Sequence, residues 1–282
     1  MTRTTTVQGA GEPLTIDRSD QVRMIGERIN PRPESELAAA LVDGDLTPVR
    51  RLATEQVEHG ADLIDVNVDA DGVDKREVLP RAVEAVAEET DVPIVIDTNY
   101  EDADALAAAL EVCPGRPVVN SVNGEPESLE TILPLVADHD AAVIGLTMDE
   151  DGIPDDADTR FDIAETILDR AAAAGIDAAD VIIDCAAIPL STASDAGRTT
   201  IETVERVCDE LGNNVTLGVS NVSFELPQRE QINETFLAMA IEAGVNVPIV
   251  HPEAARETVL IADLVMGRDE FAKRYLSYYR SR

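Results

Sequence analysis

The chain has 282 residues, 56 of them acidic against 22 basic, for a formal net charge of −34. That length suits one barrel-sized domain with little left over, and with no basic stripe to neutralise phosphates, nucleic acid is excluded as a partner. No apolar stretch reaches bilayer length and the opening MTRTTTVQGAGEP has no apolar signal region, so the expectation is no membrane and a cytoplasmic location.

Residues 1–20 are polar, rich in threonine and without period, and read as a tail or short N-terminal extension ahead of a single domain over 21–282. From there an apolar, β-branched run recurs eight times: MIGERIN, ADLIDVNV, PIVIDTN, PVVNSVN, AAVIGLTM, VIIDCAAI, TLGVSNVS and NVPIVHP. Each is followed by a helical stretch. The first crossover holds two helices, ESELAAAL and a second with Thr47 as N-cap, Pro48 at the first helical position and Gly60 as stop. The fifth crossover, TRFDIAETILDRAAAAG, ends at Gly175, and the last two helices cover EAARETVLIADLVMG and DEFAKRYLSYYR. Longer connections after the fifth, sixth and seventh strands (DEDGIPDDAD, AAIPLSTASDAG, FELPQRE) suit lids or docking loops. Repeated βα alternation predicts an α/β fold, a single (β/α)8 TIM barrel with its working groups on the rim formed by strand C-termini.

The runs stop at residues suited to chemistry: Glu27 and Asn30, Asp65 and Asn67, Asp97, Asn120, Thr147 and Asp149, Asp184, Asn221, His251. Asp97, Asn120 and Asp184 set two carboxylates and an amide around one mouth. A carboxylate grips a ring that carries adjacent N–H and amino donors, and an amide both gives and takes hydrogen bonds at the next edge. A pterin or a purine fits that set. Helix capping explains an aspartate at one strand end taken alone, but explains the whole set poorly. A divalent metal on Asp65, Asp69 and Asp97 is disfavoured because the bracketing Asn67, Asn120 and Asn221 are neutral. No metal site is expected.

Cys113, Cys185 and Cys208 are widely separated and odd in number, which speaks against a disulfide framework. Cys208 reads as a small residue packed under a helix. His59 and His139 stand in helix-end contexts as exposed C-terminal caps, while His251 ends the eighth run. Lys75 and Lys273 are the only lysines, and both fall in helical segments. The excess of acid reads as a salt-adapted, halophilic surface, because self-repulsion is damped once the Debye length falls to about 3 Å in molar salt. DEDGIPDDAD is then solvated surface and not a calcium loop, whose alternating ligands and closing glutamate are missing.

IGERIN at 25–30, DVNVD at 65–69, IDTN at 96–99, VNSVNGE at 119–125, IGLTMDEDGIP at 144–154, IIDC at 182–185 and LGVSNVSFELPQREQIN at 217–233 resemble the pterin-binding methyltransferases. The likeness is strongest to the methyltetrahydrofolate:corrinoid/iron–sulfur protein methyltransferases, and it runs in order from residue 24 to the C-terminus. The resemblance implies a dihydropteroate synthase-like barrel homodimer that binds methyltetrahydrofolate or a related methylpterin. It further implies transfer of the N5 methyl to the Co(I) centre of a corrinoid (cobalamin) carried by a partner protein. By motif position Asp97, Asn120 and Asp184 hold the pterin, with Asp65 and Asn67 beside them. Asn221 sits by N5, Arg229 occupies the family's arginine position, and Asn221 and Asp184 are the catalytic candidates. A tertiary amine leaves poorly, so an amide whose hydrogen bond to N5 strengthens in the transition state suits the step. The chain lacks a D-x-H-x-x-G corrinoid module, so the corrinoid is expected in trans.

Three departures stand out: Pro31 where glycine usually follows ERIN, Phe224 in place of a polar residue after SNVS, and Cys185-Ala186-Ala187 in place of a proline-containing run. Other readings are the catalytic part of a split methionine synthase, a methanopterin-linked subunit, or, motivated by Phe224, a pterin-binding subunit without turnover. Dihydropteroate synthase is disfavoured because its chemistry wants a rim lysine and cations for a diphosphate.

Overall fold

A computed structural model describes residues 2–280; Met1 and the last two residues of the expected 21–282 domain, Ser281 and Arg282, lie outside the described residues. An antiparallel hairpin of β1 (Thr5–Val7) and β2 (Leu14–Ile16) comes first. The barrel strands are β3 (Ile25–Ile29), β4 (Leu63–Asn67), β5 (Ile94–Asp97), β6 (Val118–Asn123), β7 (Ala142–Leu146), β8 (Val181–Asp184), β9 (Val215–Thr216) and β10 (Ile249–Val250). They pair in parallel in the order β10-β3-β4-β5-β6-β7-β8-β9. Between β9 and β10 the ring is joined by the Gly218–Ile249 bridge, with Ile249 N–H donating to Leu217 O at 3.1 Å, and by the Val247 N–H donating to Val215 O at 3.2 Å. The result is the expected (β/α)8 barrel, nearly closed.

The crossovers supply α1 (Glu36–Val42), α2 (Thr47–Glu58), α3 (Lys75–Glu89), α4 (Ala103–Val112), α5 (Pro126–Asp138), α6 (Ala157–Ala173), α7 (Ala196–Arg206), α8 (Arg229–Ala243), α9 (Pro252–Val265) and α10 (Lys273–Arg280). Leu46, not Thr47, is the N-cap of α2. The reason is Asp45, whose carboxylate accepts the Thr47 N–H at 2.9 Å and so draws Thr47 into the first turn. Among the described residues no helix is long and apolar enough to cross a membrane.

Side chains alternate across a strand, so one row of each barrel strand points inward. Those rows carry Ile25, Leu63, Val95, Val118, Ile144, Ile182 and Ile249, which form one buried cluster. The outward rows, with Ile64, Ile96, Val119, Val143 and Ile183, pack under the helices in a second cluster. Parallel strands buried on both faces read as unbroken apolar runs, which is why they show so plainly in the sequence.

Residues 2–20 are not a loose tail. Val7 and Ile16 of the hairpin are fully buried and belong to the inner cluster. Asn214 Nδ2 ties the hairpin down by donating to Thr5 Oγ1 at 2.8 Å and Ile16 O at 3.0 Å. Arg116 and Gln8 exchange backbone hydrogen bonds at 2.8 and 2.9 Å. The hairpin therefore plugs the N-terminal end of the barrel and leaves the C-terminal rim as the open end.

Candidate active site

Two residues beyond the apolar layer, the same inward rows present Glu27, Asp65, Asp97, Asn120, Leu146, Asp184 and His251. Strand register sets Asn67, Asp97 and Asn120 side by side on β4, β5 and β6. Asn67 Nδ2 donates to Asp97 Oδ2 at 2.9 Å, and Asn120 Nδ2 donates to Asp65 Oδ1 at 3.1 Å. Burial pushes the Asp65 carboxyl well above the usual carboxylate range, and the neighbouring Asp97 charge adds to it. Burial also raises Asp97, to about 6, while hydrogen bonds from Asn67 and Asp65 hold it back. The two acids are hydrogen-bonded to each other, and the opposite effects of that bond on the two carboxyls make Asp65 the donor and Asp97 the acceptor.

A cavity of about 380 Å³ is lined by Asn67, Asp97, Thr98, Asn123 and Met148. The Thr98 hydroxyl in it is buried without a hydrogen-bond partner, an orphaned group that a polar ligand would satisfy. Lys75 lines it too, because α3 begins at the rim; its ammonium lies 2.7 Å from Asp69 and 2.8 Å from Asp102 and is thereby neutralised.

Asp184 ends β8. Its Oδ1 accepts the Ala186 N–H at 2.8 Å, and its backbone carbonyl accepts from the Thr147 hydroxyl at 3.0 Å. Burial raises this carboxyl to about 6, against the pull of the Ala186 N–H and the Arg160 charge. Cys185 is fully buried and burial pushes its thiol up, so it is no nucleophile.

Asn221 is not at a strand end. β9 stops at Thr216, and Asn221 stands exposed on a 3-10 turn, Val219–Ser223. The turn wins over a longer strand because Arg229 clamps it: Nη2 donates to Ser220 O at 2.9 Å and Nε to Ser223 Oγ at 3.0 Å. A second cavity, of about 260 Å³, lies beside this turn and is lined by Glu27, Arg32, Ser220, Arg229, Asn233 and His251. Burial pushes the Glu27 carboxyl up to about 7, although Ser220 and Arg32 oppose it. Burial and then the Arg32 and Arg28 charges lower His251 to about 4, so the imidazole is neutral at pH about 7. Glu27 Oε1, buried and unpartnered, is 3.6 Å from His251 Nε2.

The expected residues are thus split. Asn67 and Asp97 share one cavity, Arg229 lines the other, and Asp65, Asn120, Asp184 and Asn221 line neither. Glu27 and His251 were legible as strand-end residues but carried no expected role; their signal is the inward spacing of two from Ile25 and Ile249. Phe224 is 54 % exposed. His59 and His139 are helix C-caps, each ring Nδ1 within 2.9 Å of the carbonyl four residues back.

A barrel plugged at one end and ringed at the other by half-buried carboxylates and amides presents a polar rim at its open mouth. The chain matches the family described as pterin binding enzyme over residues 26–251 and belongs to it. It is 33 % identical over 279 residues to methionine synthase of Mycobacterium tuberculosis, covering 91 % of this chain and 23 % of that protein. The chain therefore spans under a quarter of the length of such relatives. It is 26 % identical over 264 residues to methylcorrinoid:tetrahydrofolate methyltransferase of Eubacterium limosum, covering 91 % and 96 % of the two chains. In fold it is similar to dihydropteroate synthase of Xanthomonas albilineans, with TM-score 0.71 and 23 % identity over 93 % of this chain and 98 % of that one. The dihydropteroate synthase of Thermus thermophilus gives TM-score 0.68 and 26 % identity over 92 % and 99 %.

Proposed function

We propose that this protein is a cytoplasmic methyltransferase, working as a homodimer, that moves the N5 methyl of methyltetrahydrofolate or a related methylpterin to the Co(I) corrinoid of a separate protein. The observation that carries the reading is the ring of inward carboxylates and amides, Asp97, Asn120 and Asp184, in a chain that aligns along 96 % of the Eubacterium limosum methyltransferase. The orphaned Thr98 hydroxyl and the carboxyls poised near neutrality fit a polar heterocycle.

In this reading Asp97 and Asp184 accept the ring's N–H and amino hydrogens and Asn120 pairs with the adjacent edge, with Asp65 and Asn67 fixing Asp97 and Asn120 in place. The Asn221 amide strengthens its hydrogen bond to N5 as the methyl departs. Glu27, held near 7, keeps a proton available on the same rim at neutral pH. Arg229 shapes the turn that carries Asn221. The corrinoid supplies the nucleophile, so the chain needs to position the methyl group and stabilise the departing pterin.

The 33 % identity to methionine synthase over 91 % of this chain favours one second reading, the pterin-handling part of a methionine synthase whose other parts are separate chains. The test mixes the protein with methyltetrahydrofolate and a reduced corrinoid. Loss of the Co(I) absorbance with equal release of demethylated pterin supports the proposal. Tight pterin binding without transfer supports a binding subunit, and condensation of a pterin diphosphate with an aromatic amine a synthase.

A further inference from the structure

Arg160, in the first turn of α6, is the largest side chain with no exposure. Every hydrogen bond it makes is to a neutral oxygen: Nε to Pro154 O at 2.8 Å, and Nη1 to Cys185 O at 3.1 Å, Ala186 O at 2.9 Å and Thr200 Oγ1 at 3.3 Å. Its Nη2 is buried without any partner. A buried cation without a carboxylate is costly, and an apolar side chain of similar volume generally packs as well or better. Something other than packing keeps it there.

The connection it makes is specific. Ala186 has φ 54°, a left-handed conformation disfavoured for a residue with a Cβ. Its peptide groups are held from both sides: the N–H by Asp184 Oδ1 at 2.8 Å, the carbonyl by Arg160 at 2.9 Å and by the Thr200 hydroxyl at 3.1 Å. Carboxylate, peptide and guanidinium form one line from the barrel mouth into α6. Pro154, bonded to the same guanidinium, joins the connection after β7 to the one after β8.

We propose that Arg160 is a positioning residue for Asp184, acting through the Ala186 peptide to fix where the carboxylate points and to favour its charged form. The groups that face this line are few. Arg160 from α6 and Cys185, next in the chain, act on or beside Asp184, while Asp155 and Asp156, ahead of α6, act on Arg160. Arg160 is the only cation among them, so its loss leaves burial to raise the Asp184 carboxyl unopposed except by one N–H.

The test needs no ligand in its first arm. The Asp184 carboxyl is titrated by carbon-13 NMR in the wild-type chain, with Asp184→Asn identifying the signal, and then in Arg160→Met. The midpoint is expected to move up by about one pH unit, while Arg160→Lys, which keeps the charge, stays near wild type. Arg160→Gln serves if the methionine variant does not fold. An unchanged midpoint in the neutral variant that folds overturns the proposal. The second arm rests on the pterin reading: with the midpoint moved from about 6 to about 7, methyltetrahydrofolate affinity of Arg160→Met should fall about threefold near pH 6.5 and largely recover near pH 8.5. On an Asp184→Asn background the Arg160 change should add no further pH dependence. Wild-type protein that binds no pterin would fail the functional reading alone, leaving the titration to decide the role of Arg160.

Discussion

Asp184 meets two opposed demands. A carboxylate that accepts ligand N–H groups must be charged, yet burial favours its neutral form and raises it to about 6. As a ligand contact it should matter: Asp184→Ala is expected to weaken methyltetrahydrofolate binding by about 10- to 100-fold, the worth of about 1.5–3 kcal/mol for a shielded hydrogen bond to a charged group. Isothermal titration checks this, and equal affinity removes Asp184 from the grip. For stability the sign is reversed. The folded chain binds this proton more tightly than the unfolded one, so Asp184 contributes stability that is full below about 3.8 and is lost as pH rises through about 6. Asp184→Asn should therefore raise the thermal midpoint near pH 7.5 and lose that advantage as pH falls toward about 4. His251, lowered to about 4, shifts stability the other way over the window from 4 to 6.5, but it is common to both proteins and cancels in the comparison.

Among the elements, the 3-10 turn Val219–Ser223 is the one whose shape decides where a candidate catalytic group stands. An added Cβ at Gly218 would lie 2.9 Å from Asn221 Nδ2, and Gly218 itself has φ −74°, which any residue adopts. Gly218→Ala should thus fold normally and displace only the amide. Methyl transfer is expected to slow about 10²-fold, as in Asn221→Ala, with pterin affinity and thermal midpoint little changed. A Gly218→Ala enzyme with wild-type turnover would show that the amide's position is irrelevant. This turn is also where the sequence misleads. TLGVSNVS has the composition of a strand, and only Arg229, at a distance of several residues, folds its second half into a turn. Other barrel strands, buried on both faces, are legible as apolar runs, as in β5 and β8, which end at Asp97 and Asp184. The hairpin is not legible, because the three-residue strands TTV and LTI are too short to show a period. Arg160 is hidden for another reason: a single arginine after DEDGIPDDADT reads as a solvated partner for acids, whereas the chain folds it inward onto carbonyls.

At the scale of the whole molecule, charge dominates. Even if every one of the 22 basic residues is matched to an acid, a formal net charge of −34 remains, carried mostly by exposed carboxylates. Ion pairs such as Arg51–Glu55 at 2.9 Å and Arg198–Glu202 at 2.7 Å are exposed, and such pairs contribute about 0–1 kcal/mol each. They cannot offset repulsion among the remaining carboxylates, which in dilute buffer reaches across the surface over about 30 Å. In molar KCl the same field is cut to about 3 Å, so neighbouring acids cease to interact. The unfolding midpoint should therefore climb steeply between about 0.01 M and 1 M KCl and then level off, since screening is nearly complete by then. A general salting-out effect would instead keep rising with concentration. Replacing the exposed acids Glu12, Asp71, Glu111 and Glu150 by lysine should raise the midpoint in dilute buffer and flatten its rise with salt, with little change at molar KCl. Differential scanning calorimetry across the salt series decides the matter: a midpoint indifferent to KCl, or variants that track the wild type at every concentration, would mean that the acidic surface is not an adaptation to salt.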